Sequence, residues 1–314
     1  MTRIHFIGFA LVKTDQDDEY QPMEDLFDTI TLIVKELLPE EVARRFGVLE
    51  DDELDKDGIF RRLTKYRNRK DASASTSFNL VKQILTQVYS RAVGPEVDSL
   101  KHYKELQPQL INDMIKKTCI KKDSLFIDLG CGVGNVVLQV AAQTGCTSIG
   151  IETADNPSAL SMKHLAEFKA RANYYGLEYG DIVIRKGDFL NDMDTLKDIE
   201  QADVLLANNF MFSPMLNQQL LNLFLNCKNG AKIISLKSFV SSNKRINGRT
   251  ANAVESILTN VEEHYYKSGS VSWTNNQGVY YVATISREPL KIFWDSFSNN
   301  NNGNGTRRSR RQRN

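Results

Sequence analysis

A chain of 314 residues, 41% hydrophobic and 25% charged, is long enough for one large domain plus a smaller region. It contains no apolar run near the ~20 residues that span a bilayer. Four scattered cysteines without a C-x-x-C pair and four isolated histidines argue against a disulfide framework, a zinc site or any other metal centre. The net charge of +1 hides opposed blocks: acid at Asp15–Glu19 and Glu50–Asp57, base at Arg61–Lys70 and Arg307–Arg313.

The first fifteen residues hold a short apolar run with no A-x-A-like cleavage pattern, so a strand is expected there rather than a signal peptide. Residues 1–75 read as a small, mainly helical region. Leu26, Ile30, Ile33 and Leu37 set a helix over Asp25–Leu38, and Leu63 and Tyr66 are the apolar positions of a basic helix over Ile59–Asn68. Ala72–Ser77 is a loop whose last serine can cap a helix over Phe78–Val93, with Val81, Ile84, Leu85 and Val88 as its buried stripe.

Gly94–Glu105 reads as a connector, and Pro108 opens a helix over Gln109–Cys119. From Ser124 onward strands and helices alternate, which predicts a parallel sheet. Strands are expected at Leu125–Ile127, Ser148–Ile151, Ile182–Phe189, Asp203–Asn209 and Lys232–Phe239. Helices are expected at Val136–Ala142 and Pro214–Cys227, the second followed by the turn Asn229-Gly230. Val261–Lys267 and Gly278–Ile285 should close one edge as an antiparallel hairpin. The expected class is α/β, a doubly wound seven-stranded Rossmann-like sheet over residues 76–297. The segment from Ser298 has almost no apolar content and should be a disordered basic tail.

Chemistry concentrates at Ser124–Asn135, which reads SLFIDLGCGVGN. An apolar strand ends at Asp128, a turn of Gly130, Cys131, Gly132, Val133 and Gly134 follows, and a helix begins beyond it. Glycines let backbone approach a ligand where a Cβ would collide. Glu152 ends the next strand 20 residues past Gly132, where an acid suits the hydroxyls of a ribose. A dinucleotide fingerprint would read G-x-G-x-x-G and place a pyrophosphate on the helix N-terminus. Here the turn fits G-x-G-x-G, and Asp128 just before it repels an anion and attracts a cation. Asp188 ends a third strand and can accept from an adenine amino group, with Phe189 free to cover the ring. The acid–glycines–acid–acid series favours S-adenosylmethionine over NAD.

Further motifs make the reading more specific. Asn208-Asn209-Phe210-Met211-Phe212 follows the fourth strand, SLKSF stands at 235–239, and SGSVSWTNNQGVYY runs from Ser268 to Tyr281. With DLGCGVGN and the G-D-F at 187–189, the chain resembles the disruptor-of-telomeric-silencing family from about Phe78 to Ile285. These are the non-SET methyltransferases of lysine 79 on histone H3. The resemblance implies a nuclear, S-adenosylmethionine-dependent enzyme acting on nucleosomes, without a metal. It implies that Phe126, Ile127, Asp128, Leu129, Gly130, Cys131, Gly132, Val133, Gly134 and Asn135 form the cofactor loop. By the same likeness Glu152 takes the ribose, and Asp188 with Phe189 takes the adenine. Asn208 then stands beside the transferred methyl, and Phe212, Trp273 and Tyr280 line or border the lysine channel. The tail Arg307–Arg313 is expected to meet DNA phosphates, and the histone H3 core to supply the substrate.

The chain departs from the family at one place. Relatives carry a segment close to F-S-x-x-V-Y-G-E that closes over the cofactor, whereas Lys101–Leu106 here runs straight into Gln107-Pro108. That departure bears on channel closure, and leaves a catalytically weak or inactive chromatin-binding relative as the alternative expectation.

Overall fold

A computed structural model of the protein describes residues 78–96, 105–175, 177–240, 247–248 and 250–296. The expected N-terminal strand and helices, the connector residues 97–104 and the basic tail lie outside the described residues. The core is a sheet of seven strands in the order β3-β2-β1-β4-β5-β7-β6. The strands are β1 Leu125–Leu129, β2 Thr147–Glu152, β3 Ile182–Lys186, β4 Val204–Ala207, β5 Lys232–Ser235, β6 Leu258–Tyr266 and β7 Gly278–Ile285. β1 to β5 pair in parallel, and β7 enters antiparallel between β5 and β6. The expected doubly wound sheet and its antiparallel edge hairpin are therefore present.

The helices are α1 Phe78–Ala92, α2 Pro108–Thr118, α3 Asn135–Thr144, α4 Asp155–Tyr175, α5 Met193–Gln201 and α6 Pro214–Leu223, with one more over 288–296. Alternation along the strands separates two buried faces. Ile127, Leu129, Leu205 and Ala207 pack on one side with Ile199 of α5 and Leu220 of α6. Phe126, Val204, Leu206 and Ile234 pack on the other with Leu110, Ile111 and Met114 of α2. The stripe Val81, Ile84, Leu85 and Val88 of α1 is buried, as its spacing predicts, against Leu138 of α3 and Phe168 of α4. Side chains of this size contribute about 1.5–3 kcal/mol each when fully buried.

Several boundaries differ from the sequence expectation for identifiable reasons. β3 stops at Lys186: the Gly187 N–H still bonds β2 at the Glu152 carbonyl, but Asp188 then turns the chain, its carboxylate accepting from Leu190 N–H and its carbonyl from Asn191 and Asp192 N–H. β5 stops at Ser235, because the Asn209 side chain takes the next two N–H groups, those of Leu236 and Lys237. α6 ends at Leu223 and tightens into a 3-10 turn over Phe224–Asn226, short of Cys227. β6 begins earlier than expected and carries an irregularity between Thr259 and Glu262, where Asn260 has φ 46°. α5 has no counterpart in the sequence expectation. Its N-terminus is capped by Asp192, whose carboxylate accepts from Thr195 N–H.

Candidate functional site

Strand order reverses between β1 and β4, and in open α/β sheets ligands bind outside the C-terminal ends of the strands at such a point. The glycine turn sits there. Gly130, Gly132 and Gly134 all have positive φ, at 87°, 56° and 82°, which L side chains rarely adopt. The turn is anchored to β2, since the N–H groups of Gly130 and Cys131 both donate to the Ile151 carbonyl, at 2.9 and 3.0 Å. A Cβ added at Gly132 meets nothing within 4 Å, whereas one at Gly134 would press on Ile184 at 2.9 Å. Gly134 thus packs inside and Gly132 faces open space. Gly134 also ends the turn as the N-cap of α3 with no side-chain cap, leaving the first helical N–H groups for an acceptor.

Two carboxylates lie under this turn. Glu152 is 7% exposed and Asp128 is 2% exposed. Glu152 holds backbone with both oxygens, accepting from Gly132 N–H at 2.9 Å and Ala154 N–H at 2.8 Å. Each oxygen keeps a second lone pair for a ligand hydroxyl. Burial, and then the neighbouring Glu152, pushes the Asp128 carboxyl up to about 8. Two buried acids side by side suit a positively charged ligand.

The opposite wall grows from the end of β4, which pairs with β1 through Leu129 and Ala207. Asn208 follows directly. The two asparagines have separate tasks. Asn209 is 1% exposed; its Oδ1 accepts from Leu236 and Lys237 N–H, and its Nδ2 donates to Asn217 Oδ1 and the Lys237 carbonyl. Asn217 in turn donates to the carbonyls of Phe212 and Ser213. This network fixes the backbone on which Phe212 is carried. The Phe212 ring stacks on Phe189 at 6.5 Å, and its Cζ lies 3.6 Å from where a Cβ of Gly130 would stand. Phe210 packs on Trp273 at 5.1 Å, with the Lys237 ammonium 5.2 Å from the Phe210 ring centre.

The structure brings the turn residues, Glu152, Phe189, Asn208 and Phe212 together at one end of the sheet. It places other expected residues differently. Asp188 is exposed, and its carboxylate accepts from Leu190 N–H and the Asn191 amide. Tyr280 is 1% exposed within the α2-side core, 5.1 Å from the His264 ring, and burial pushes its hydroxyl up to about 12. Trp273 packs against that same core, and its indole N–H is buried without a hydrogen-bond acceptor. Phe126, Ile127, Leu129, Cys131 and Val133 are all buried, so they support the turn from beneath. Asn135 opens α3, and its amide donates to the Leu106 carbonyl at 3.1 Å.

Sequence reading missed Asn209 and Asn217 as the fixtures of the wall. A tandem amide after an apolar strand was visible, but not which amide faced inward. It also missed the pairing of residues 105–107 with 270–272, joined by the bridge of Leu106 with Val271. A groove of about 970 Å³ lined by Asn229, Thr259, Thr284, Glu288 and Ile292 lies at the other end of the sheet, where β5 begins beside the end of β7. Among the described residues, no helix is long and apolar enough to cross a membrane.

Residues 89–285 match the family described as "Histone methylation protein DOT1". The chain is 36% identical to the "Histone-lysine N-methyltransferase, H3 lysine-79 specific" of Emericella nidulans, over 92% of this chain and 64% of that protein. It is 41% identical to the protein of the same description from Yarrowia lipolytica, over 67% of this chain and 44% of that one. The chain thus spans less than two thirds of the length of these relatives. Among solved structures, it is similar to an O-methyltransferase of Bacillus cereus in complex with SAH, at 13% identity and a TM-score of 0.43, over 72% of this chain and 97% of that one.

Proposed function

The chain belongs to the DOT1 histone methylation family, and from that premise we propose that it is an S-adenosylmethionine-dependent histone-lysine N-methyltransferase acting on lysine 79 of histone H3 in nucleosomes. The observation that carries this reading is the buried acid pair, Asp128 and Glu152, beneath a glycine turn that opens at Gly132.

The residues fit that donor. Two buried carboxylates oppose a pyrophosphate and suit a cation. The uncapped N-terminus of α3 suits a carboxylate. Glu152 keeps lone pairs for ribose hydroxyls, and Phe189 with Phe212 offers a stacked pair of rings for a flat base. When bound, S-adenosylmethionine supplies an electrophilic methyl group on a sulfonium sulfur.

The chain's own residues do the rest. Asp128 balances positive charge, and Glu152 holds the turn through the Gly132 N–H. Asn208 presents a carboxamide that orients an amine without adding charge. Phe210 and Trp273 form an apolar wall that excludes water. A free lysine titrates near ~10.4, and a dry aromatic setting lowers that value by disfavouring the ammonium. Positioning and desolvation, rather than a strong base, then deliver the neutral amine. The relatives' names do not favour the non-catalytic alternative.

The arginines of Arg307–Arg313 fit non-specific contact with DNA phosphates, and a nuclear location follows from the substrate. Residues 76–297 are the proposed catalytic domain. The test is to supply labelled S-adenosylmethionine with recombinant nucleosomes. Label is expected at lysine 79 of histone H3, with nucleosome affinity losing part of its salt dependence when the tail is removed. Label on another residue, or none, overturns the proposal.

A further inference from the structure

α4 turns Ser161 and His164, three residues apart, toward the glycine turn. The Ser161 Cβ lies 3.7 Å from where a Cβ of Gly134 would stand. His164 is 1% exposed, and its Nδ1 is 2.9 Å from the Val133 carbonyl within the turn. A carbonyl only accepts, so Nδ1 carries the proton and donates, and burial holds the ring in its neutral form. Nε2 is buried without a hydrogen bond. On the other side the His164 ring meets Tyr89 of α1 edge-on, at 5.7 Å and 84°. The Tyr89 hydroxyl donates to the Glu105 carboxylate, 3.0 Å from each oxygen. The Glu105 carbonyl accepts from Ser272 N–H, its own N–H donates to Ser272 Oγ, and Gln107 N–H donates to the Ser270 carbonyl. Trp273 is the next residue.

Plain packing does not account for this line of contacts. The pocket around it is apolar, built from Val93, Val133 and Leu160. A leucine at 164 would fill it without leaving an unsatisfied buried nitrogen. The histidine makes two contacts that a leucine lacks, the bond to the turn and the ring edge on Tyr89. The geometry points to His164 and Tyr89 as positioning residues that form a strut. The strut ties the glycine turn to Glu105–Gln107, and through that segment to the 270–273 loop bearing Trp273. The donor pocket and the aromatic wall are thereby held as one unit. Its bearing on catalysis rests on the methyltransferase reading, but the strut itself is a property of the ligand-free chain.

Hydrogen exchange on the ligand-free full chain tests it, with Tyr89→Phe, His164→Leu and His164→Asn. Tyr89→Phe keeps the ring and deletes only the bond to Glu105. It should speed exchange both at 270–273 and, across the ring contact, at 133–135. His164→Leu should do the same. His164→Asn, whose amide can replace the Nδ1 donor but not the ring edge on Tyr89, should restore slow exchange at 133–135 and leave 270–273 fast. In calorimetry with S-adenosylhomocysteine, His164→Leu should weaken binding about tenfold, the scale of one lost hydrogen bond, while His164→Asn restores most of it. If Tyr89→Phe leaves 133–135 unchanged, or His164→Asn behaves like His164→Leu at 133–135, the strut is overturned. Should His164→Leu not fold, Tyr89→Phe alone decides. A wild-type chain that shows the coupled exchange yet binds no S-adenosylhomocysteine sinks the donor reading and keeps the strut. One that binds it with uncoupled exchange sinks the strut alone.

Discussion

The β1–β2 half of the site and the β4–β7 half are built by different means. The first is made of backbone. Three positive-φ glycines, two N–H groups on one carbonyl and two buried acids define it, and all lie within 25 residues of sequence, from Asp128 to Glu152. The second is made of side chains from distant places. Phe210 meets Trp273, and Asn209 staples β4 to the chain after β5. A backbone site tolerates little change at its glycines but much at its rim. A side-chain wall should fail by degrees, according to which ring or amide is lost.

The sharpest way to break that contrast is at Gly132. Gly132→Arg forces a side chain onto a φ of 56° and into the open space over the turn. Methylation of nucleosomes should fall by at least about a hundredfold, with donor binding lost by calorimetry and the melting temperature only modestly lowered. Labelling unchanged by this substitution would remove the donor site from Gly132. Next comes the asparagine pair. Asn208→Ala should cut kcat by about tenfold to a hundredfold while the chain stays folded. Asn209→Ala should instead cost about 2–4 kcal/mol in denaturant unfolding, since it orphans buried partners. Equal stability of the two variants would erase the division of labour between them.

Asp128 gives a subtler effect. Its folded-state value stands above its unfolded value of 3.8, so the unfolded chain releases this proton first as pH rises. The carboxyl therefore destabilises the ligand-free fold progressively between 3.8 and about 8, and fully above that. Asp128→Asn should raise the ligand-free melting temperature at about pH 9 relative to about pH 5, compared with the parent chain, and weaken S-adenosylmethionine binding most at the alkaline end. In the parent chain, binding should tighten as pH rises toward about 8. A flat profile would mean that Asp128 does not meet the cation. Lys237→Ala should matter least, by about 0.5–1 kcal/mol in unfolding, for loss of an exposed cation over Phe210.

These differences also decide what could be read from the chain before its structure. The turn was legible because its grammar is local: an apolar run, an acid, alternating glycines and an acid 20 residues past Gly132. The edge hairpin was legible for the same reason, with β7 falling at Gly278–Ile285 as expected. Asn209 was not, because its role depends on where Leu236 and Lys237 arrive in space. His164 looked isolated along the chain, since its partners Val133 and Tyr89 lie 31 and 75 positions away. Tyr280 shows the reverse. A motif position that suggested a channel sits with 1% of its surface exposed, and only packing against α2 reveals that.

The pairing of residues 105–107 with 270–272 has a bearing on how such chains diversify. Past Glu105 the polypeptide is held by bonds that owe nothing to what precedes it: Gln107 to Ser270, Asn135 to Leu106, and Gln139 to Pro108. On the near side, α1 ends in its own turn, with Val93 and Glu96 bonded back to Tyr89 and Val93. Each bank thus keeps its own backbone moorings, and the Tyr89–Glu105 bond clasps the two directly, so the number of residues between 96 and 105 can change without re-threading the sheet.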